Sequence, residues 1–331
     1  MGISLRGTIA TAAVGALAVT ALTGAGLAHA ATKAPAPAAA PAAAAAGGYQ
    51  FVEIGSHKDR TFNQLLGINN KGQIAGYFGS GAAGHPNKGY EISAPYAQND
   101  FQSENFPRSA QTQITGLNDD GVEVGFFSTQ NKANLSDNNF GFWRSNGKYH
   151  EVNYPTKNHS APPVNQLLGI NDTGTAVGFY NDSAGNSHGY AYNIKTGKFK
   201  LVGLAGATSL TATAVNNHGA VAGFFTGSGG AVDGFLKLHS GKEYRFAVPG
   251  ATMTQAFGVN DNDWVVGTYT EKSGATHGFI YIAGGRLITG IDDPNGAGTT
   301  LLNGINNEND IVGFYTDSAG NTDGLVAYPA F

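Results

Sequence analysis

From Gly67 onward the chain alternates short apolar runs with small polar turns, and one version of that alternation occurs six times. Its core is Gly or Ala, an aliphatic residue, Asn, a polar turn, an apolar pair, Gly, then aromatics. It stands as GINNKGQIAGYF from Gly67, GLNDDGVEVGFF from Gly116 and GINDTGTAVGFY from Gly169. It returns as AVNNHGAVAGFF from Ala214, GVNDNDWVVGTY from Gly258 and GINNENDIVGFY from Gly304. The steps between copies are 49, 53, 45, 44 and 46 residues. Later in each unit a second glycine follows a variable residue: Lys88, Phe140, His188, Asp233, His277 and Asp323. A run toward Pro or Pro-Gly-Ala, such as YRFAVPGA at 244–251, leads into the next unit.

Each unit therefore predicts four strands: into Gly-Ile-Asn, through Val-Gly-Phe-Tyr, after the second glycine, and toward Pro. Residues 49–331 show no sustained helical period, so this part reads as all-β. Asn-Asp-x-Gly between the first two strands reads as a tight hairpin, with the Asn side chain closing the turn. That turn accounts for Asn69, Asn118, Asn171, Asn216, Asn260 and Asn306; a ring of Asn ligands is the alternative reading. Ala214 departs from the first glycine, and Asp263 and Asn309 depart from the turn glycine.

A period near 47 with four strands per unit is what radial β-propellers use. The expected fold is a six-bladed β-propeller of four-stranded blades over 49–331. The chain opens on an orphan strand at 49–54 and its last unit lacks an outer strand. Pairing of the N-terminal strand with the last blade would close the ring and remove its edges. A linear β-solenoid is the alternative.

These units resemble the HAF-type extracellular repeat family of secreted bacterial proteins. The residues that carry the resemblance are clearest in VPGATMTQAFGVNDNDWVVGTYTEKSGATHGFIYI at 248–282. The resemblance covers nearly all of 49–331. It implies a secreted β-repeat protein of propeller type, and it implies no reaction.

Composition sharpens this picture. The 331 residues include 49 Gly and no Cys, only 13% are charged, and the net charge is −4. Repeated glycines fit hairpins and close contacts between strands. The absent Cys excludes disulfides and thiolate chemistry. The weakly acidic balance gives no footprint for nucleic acid. Residues 1–30 read as a secretory signal: Arg6, an apolar stretch from Ile9 to Leu27, and Ala28-His29-Ala30 as the cleavage pattern. A membrane span is the weaker reading of that stretch, because Ala, Gly and Thr dominate it. Residues 31–48 read as an Ala/Pro linker. After signal removal no membrane span remains, and the expected product is a secreted monomer.

Candidate chemistry lies on the loops joining second to third strands and on the connections between units. That side holds His57, Arg60, Arg108, His159 and Glu271 as binding candidates, with an extracellular polysaccharide or protein as partner. His188, Asp233, His277 and Asp323 share one repeat position. Pointing at an axis they would suit acid–base or metal chemistry; pointing between units they would be strand-end hydrogen bonds. NDSAGNSHG and TDSAGNTDG offer Asp182, Asn186, Asp317 and Asn321, oxygen donors in a Gly turn that could hold calcium; no other cofactor is expected. Tyr154 and Trp143 are candidate exposed platforms for sugar rings. No HExxH, G-x-S-x-G or P-loop occurs. The expected function is non-catalytic binding, with a polysaccharide hydrolase or lyase using His and Asp of this side as the alternative. A structural surface protein is a third reading.

Overall fold

The computed structural model describes residues 48–82, 84–131 and 137–330. The signal at 1–30 and the linker at 31–48, apart from Gly48, lie outside the described residues. The chain opens on β1 (Tyr49–Ile54). Unit one is β2 (Asn63–Ile68), β3 (Ile74–Phe78), β4 (Lys88–Ile92) and β5 (Gln102–Ser103). Unit two is β6 (Gln111–Leu117), β7 (Glu123–Ser128), β8 (Phe140–Ser145) and β9 (Lys148–Val152). Unit three is β10 (Asn165–Ile170), β11 (Thr175–Asn181), β12 (Ser187–Asn193) and β13 (Lys198–Leu201). Unit four is β14 (Ala207–Val215), β15 (Val221–Gly227), β16 (Val232–Lys237) and β17 (Glu243–Phe246). Unit five is β18 (Met253–Val259), β19 (Trp264–Thr270), β20 (Thr276–Ile282) and β21 (Arg286–Thr289). Unit six is β22 (Thr300–Ile305), β23 (Ile311–Thr316) and β24 (Thr322–Pro329). The described residues contain no α-helix, only one 3-10 turn at Gln98–Asp100.

Within each unit the strands pair in chain order. Units four and five merge into one eight-stranded sheet through a single parallel pair, Val232–Met253. Unit six supplies three strands, and β1 takes the fourth place. It pairs antiparallel with β24, from Tyr49 opposite Pro329 to Ile54 opposite Gly324.

The core lies between sheets rather than inside one. Each apolar cluster joins consecutive units. Ala75 of unit one meets Ile114 and Phe142 of unit two. Val124 meets Leu167 and Tyr190 at the next seam, and Val177 meets Leu210 and Phe235 at the one after. Leu236 and Phe246 meet Val265 and Phe279, and Val266 and Ile280 meet Leu302 and Ile311. The last seam returns to the start: Val312 and Val326 of unit six lie in one cluster with Leu65, Ile74 and Tyr90 of unit one. Strands buried on both faces read as near-continuous apolar runs, which explains the low charge.

Space, not backbone conformation, favours the first glycine of the repeat, present in every unit but the fourth, which carries Ala214. A Cβ on Gly67 would stand 2.9 Å from the Cα of Gly116, and one on Gly304 would stand 3.1 Å from the Cα of Gly67. First strands of neighbouring units touch backbone to backbone there. The turn glycine is different. Its substitutes Asp263 and Asn309 adopt φ of 58° and 65°, the left-handed region that short polar side chains tolerate.

The repeated Asn closes its own turn, as expected, and also links its unit to the next. Asn171 Oδ1 accepts the backbone N–H of Thr175 at 2.9 Å, closing its own turn. Its Nδ2 donates to the carbonyl of Asn216 in the next unit at 2.8 Å. The same outward bond runs from Asn69 to Asn118, Asn118 to Asn171, Asn216 to Asn260 and Asn260 to Asn306. Asn306 then donates to the carbonyl of Asn69 at 3.5 Å.

Candidate functional site

Two ends of the molecule carry polar chemistry. At the turn end, the residue after each repeated Asn forms a second circuit. Asn70 N–H donates to Asp119, Asp119 to Asp172, Asp172 to Asn217, Asn217 to Asp261, Asp261 to Asn307, and Asn307 to Asn70, at 2.7 to 2.9 Å. These side chains rim a cavity of about 70 Å³ floored by Ile68, Ile170 and Ile305. Burial works against the Asp261 carboxylate, but bonds from Asn307 and Asn217 hold its pKa below the ordinary value. Each carboxylate is thus consumed by the neighbouring unit, so the circuit reads as a structural clasp.

At the loop end, units three and five build the same group from different acids. His188 stands across the sheet from Tyr180, and His277 from Tyr269. The Tyr180 and His188 rings stack at 5.0 Å, and Tyr154 stacks on Tyr180 at 4.6 Å. His188 Nε2 lies 2.9 Å from Asp182 Oδ2 in the loop between second and third strands. His277 Nδ1 lies 2.8 Å from Asp292 Oδ2 in the connection to unit six, and its Nε2 faces Glu271 Oε1 at 3.8 Å. Glu271 occupies the repeat position of Asp182. The side chains of His188 and His277 stay 38% and 23% exposed, so both imidazoles remain reachable.

Unit six carries only acids at this place. Asp323 stands opposite Tyr315, whose hydroxyl donates to Glu53 Oε2 at 3.2 Å. Burial, then the charges of Glu53, Asp317 and Asp293, push the Asp323 carboxyl up to about 6. In unit four, Asp233 stands opposite Phe225.

The four residues of that repeat position belong to four separate units, and each histidine is paired with its own carboxylate. Among the described residues no group of three His, Asp or Glu is close enough to hold a metal ion. The calcium candidates are engaged by their own turns. Asp182 Oδ1 accepts from Ala184 and Asn186, and Asp317 Oδ1 from Ala319 and Asn321. Burial raises the cost of the Asp182 charge, but His188 and these turn amides outweigh it and hold its pKa low. His57, Arg60, Arg108, His159 and Glu271 are all exposed. His57 is bonded to Gln98 and His159 to the Ser160 carbonyl, so neither histidine joins the other two. Tyr154 is not an exposed platform, because Tyr180 and Phe199 cover it. Trp143 is half covered by the stacked ring of His150 at 3.9 Å. Asp292 and Asp293 lie in the connection between β21 and β22 and serve different partners: Asp292 pairs with His277, while the buried Asp293 carboxylate accepts from the Asn295 backbone N–H.

One cluster escapes a reading by motifs. Glu123 is fully buried in unit two, with Arg144 and Glu104 bonded around it. Its signal lies in the repeat itself: the other units carry Ile74, Ala176, Val221, Val265 and Ile311 at that position.

The class defined by these stacked four-stranded sheets is an all-β fold of β-propeller type. No helix among the described residues is long and apolar enough to cross a membrane. No family model matches the chain, and no curated protein matches it. Solved structures do. A TolB from Agrobacterium tumefaciens is similar at TM-score 0.53 and 12% identity, over 82% of this chain and 92% of that one. AofleA from Arthrobotrys oligospora is similar at TM-score 0.52 and 11% identity, over 84% and 86%. Aleuria aurantia lectin, solved with Fucalpha1-6GlcNAc, is similar at TM-score 0.51 and 12% identity, over 82% and 96%. At these identities the likeness is one of fold.

Proposed function

We propose that this chain is a secreted six-bladed β-propeller of HAF-type repeats, closed by β1, that binds an extracellular carbohydrate on its loop side as a monomer. Six repeats, the β1–β24 pairing and the hydrogen bonds from unit six to unit one support the closed ring. The observation that carries the binding reading is the tyrosine–histidine–carboxylate group, built twice with the imidazole partly exposed. A flat ring covers the C–H face of a sugar, and a fixed carboxylate accepts from its hydroxyls. A fold of this type holds a fucosylated glycan in Aleuria aurantia lectin; here the support comes from this chain's own side chains.

Glycan arrays followed by titration calorimetry test the proposal with the wild type, His188→Ala and His277→Ala. The expected result is binding to one glycan class, weakened in one or both variants. Absence of binding across neutral, acidic and amino-sugar polymers would sink it. A second reading rests on unit five, where carboxylates flank both nitrogens of His277. That arrangement suits proton transfer, and release of reducing ends or unsaturated products, abolished in His277→Ala, would favour a hydrolase or lyase.

A further inference from the structure

Glu123 and Arg144 break the repeat at two paired positions at once. They face each other across β7 and β8. The equivalent pairs are Ile74–Ile92, Ala176–Tyr192, Val265–Tyr281 and Ile311–Ala327. Only unit four keeps even one charge there, in Val221–Lys237. Unit two has therefore exchanged an apolar pair for an ion pair inside the sheet stack.

The ion pair also crosses a seam. Arg144 Nη1 lies 2.6 Å from Glu123 Oε2, and its Nη2 lies 2.8 Å from Glu104 Oε1. Glu104 belongs to unit one, since its backbone N–H donates to the Gly89 carbonyl beside β4. The Tyr149 hydroxyl of β9 donates to Glu104 Oε2 at 3.2 Å, from the unit-two side. Glu91 of β4 is the remaining charge acting on Glu123. One guanidinium thus serves two carboxylates, with a third nearby. Two buried atoms have no partner at all: Glu123 Oε1 and Arg144 Nε. A buried carboxylate with an idle oxygen is costly as an anion and cheap as a neutral acid.

We propose that this cluster is a proton-controlled latch between units one and two. With Glu123 neutral, Arg144 is free to serve Glu104 and hold the seam. With Glu123 ionised, Arg144 is divided between two anions inside a buried site and the seam loosens. Burial pushes the Glu123 carboxyl up to about 7, which places the change at neutral pH. The sign follows from linkage. An acid whose folded pKa is raised contributes stability below its unfolded pKa, and loses it as pH rises through the folded value.

Hydrogen exchange at pH 6 and pH 8, corrected for intrinsic rates, tests the latch. In the wild type, protection in β4, β8 and β9 should fall by up to about tenfold, the equivalent of one pKa unit. Protection in β16 and β20, at the seam of units four and five, should not change. Glu123→Gln should keep the pH 6 protection at both values. Should that variant fail to fold, Glu123→Ile with Arg144→Ile copies the unit-one pair and should remove the pH dependence. An equal pH response at both seams, or an undiminished response in whichever variant is used, overturns the proposal.

Discussion

The side-chain amide of Asn303 donates to the carbonyl of Leu65, 238 residues earlier in the chain, at 2.9 Å. Asn303 sits where the other units place Leu66, Thr115, Leu168, Thr213 and Phe257, around a space of about 30 Å³. At that position unit six carries a buried amide bonded to the first strand of unit one.

Asn303→Ala should remove that bond and leave the buried Leu65 carbonyl without that donor. The expected loss is about 1–3 kcal/mol of unfolding free energy, read by urea denaturation. A loss below the error of the extrapolation would mean the unit-six to unit-one contact carries no energy.

Deleting residues 49–54 should expose the outer edge of β24, which β1 now covers from Gly324 to Pro329. It also strips Tyr49 and Phe51 from the cluster shared with Leu325 and Ala327. The expected outcome is a lower melting temperature and self-association through the bare edge, read by calorimetry and light scattering. A truncated chain that melts like the intact one and stays monomeric would contradict this.

Gly67→Ala should destabilise by about 1–3 kcal/mol, because the new methyl must displace the backbone of the neighbouring unit. The relevant approach is the 2.9 Å to the Cα of Gly116. The turn substitution Gly121→Asn should cost much less, since Asn309 already holds the equivalent left-handed position.

Asp323 gives a pH signature. Its folded pKa is raised to about 6 by burial and by Glu53, Asp317 and Asp293. Its stabilising contribution is full below the ordinary aspartate pKa and is lost as pH rises through 6. Asp323→Asn should therefore melt higher than the wild type at pH 7.5, with the gap closing toward pH 4. A gap that is constant across this range would show that Asp323 does not titrate in the folded window.

How far the sequence could be read depended on what repeated. The strands of every unit, the hairpin at Asn171 and the partnership of β1 with the last unit were all legible, because each depends on local alternation or on a phase mismatch. The residues of the loop side were legible as types but not as pairs. His188 and His277 look equivalent in sequence, yet one takes its carboxylate from its own loop and the other from Asp292, fifteen residues on. Tyr154 is a candidate exposed platform by sequence, and the ring that covers it, Tyr180, comes to it only in the folded chain. Glu123 could have been found by asking which residue is out of place in its repeat, a signal independent of motifs.

The sequence by itself determined the period, the strand count per unit, the all-β class and the repeated turn positions. Those follow from alternation and from turn stereochemistry, which act over a few residues. The tertiary structure alone decided which side chains meet: the Asn circuit and the Glu104–Arg144 pair across seams, and the partners of each histidine within a unit or its connection. The Asn circuit joins residues about a repeat apart or more than two hundred apart in the chain, and the histidine partners, six and fifteen residues away, depend on how a loop folds back, so no local rule of the backbone fixes them.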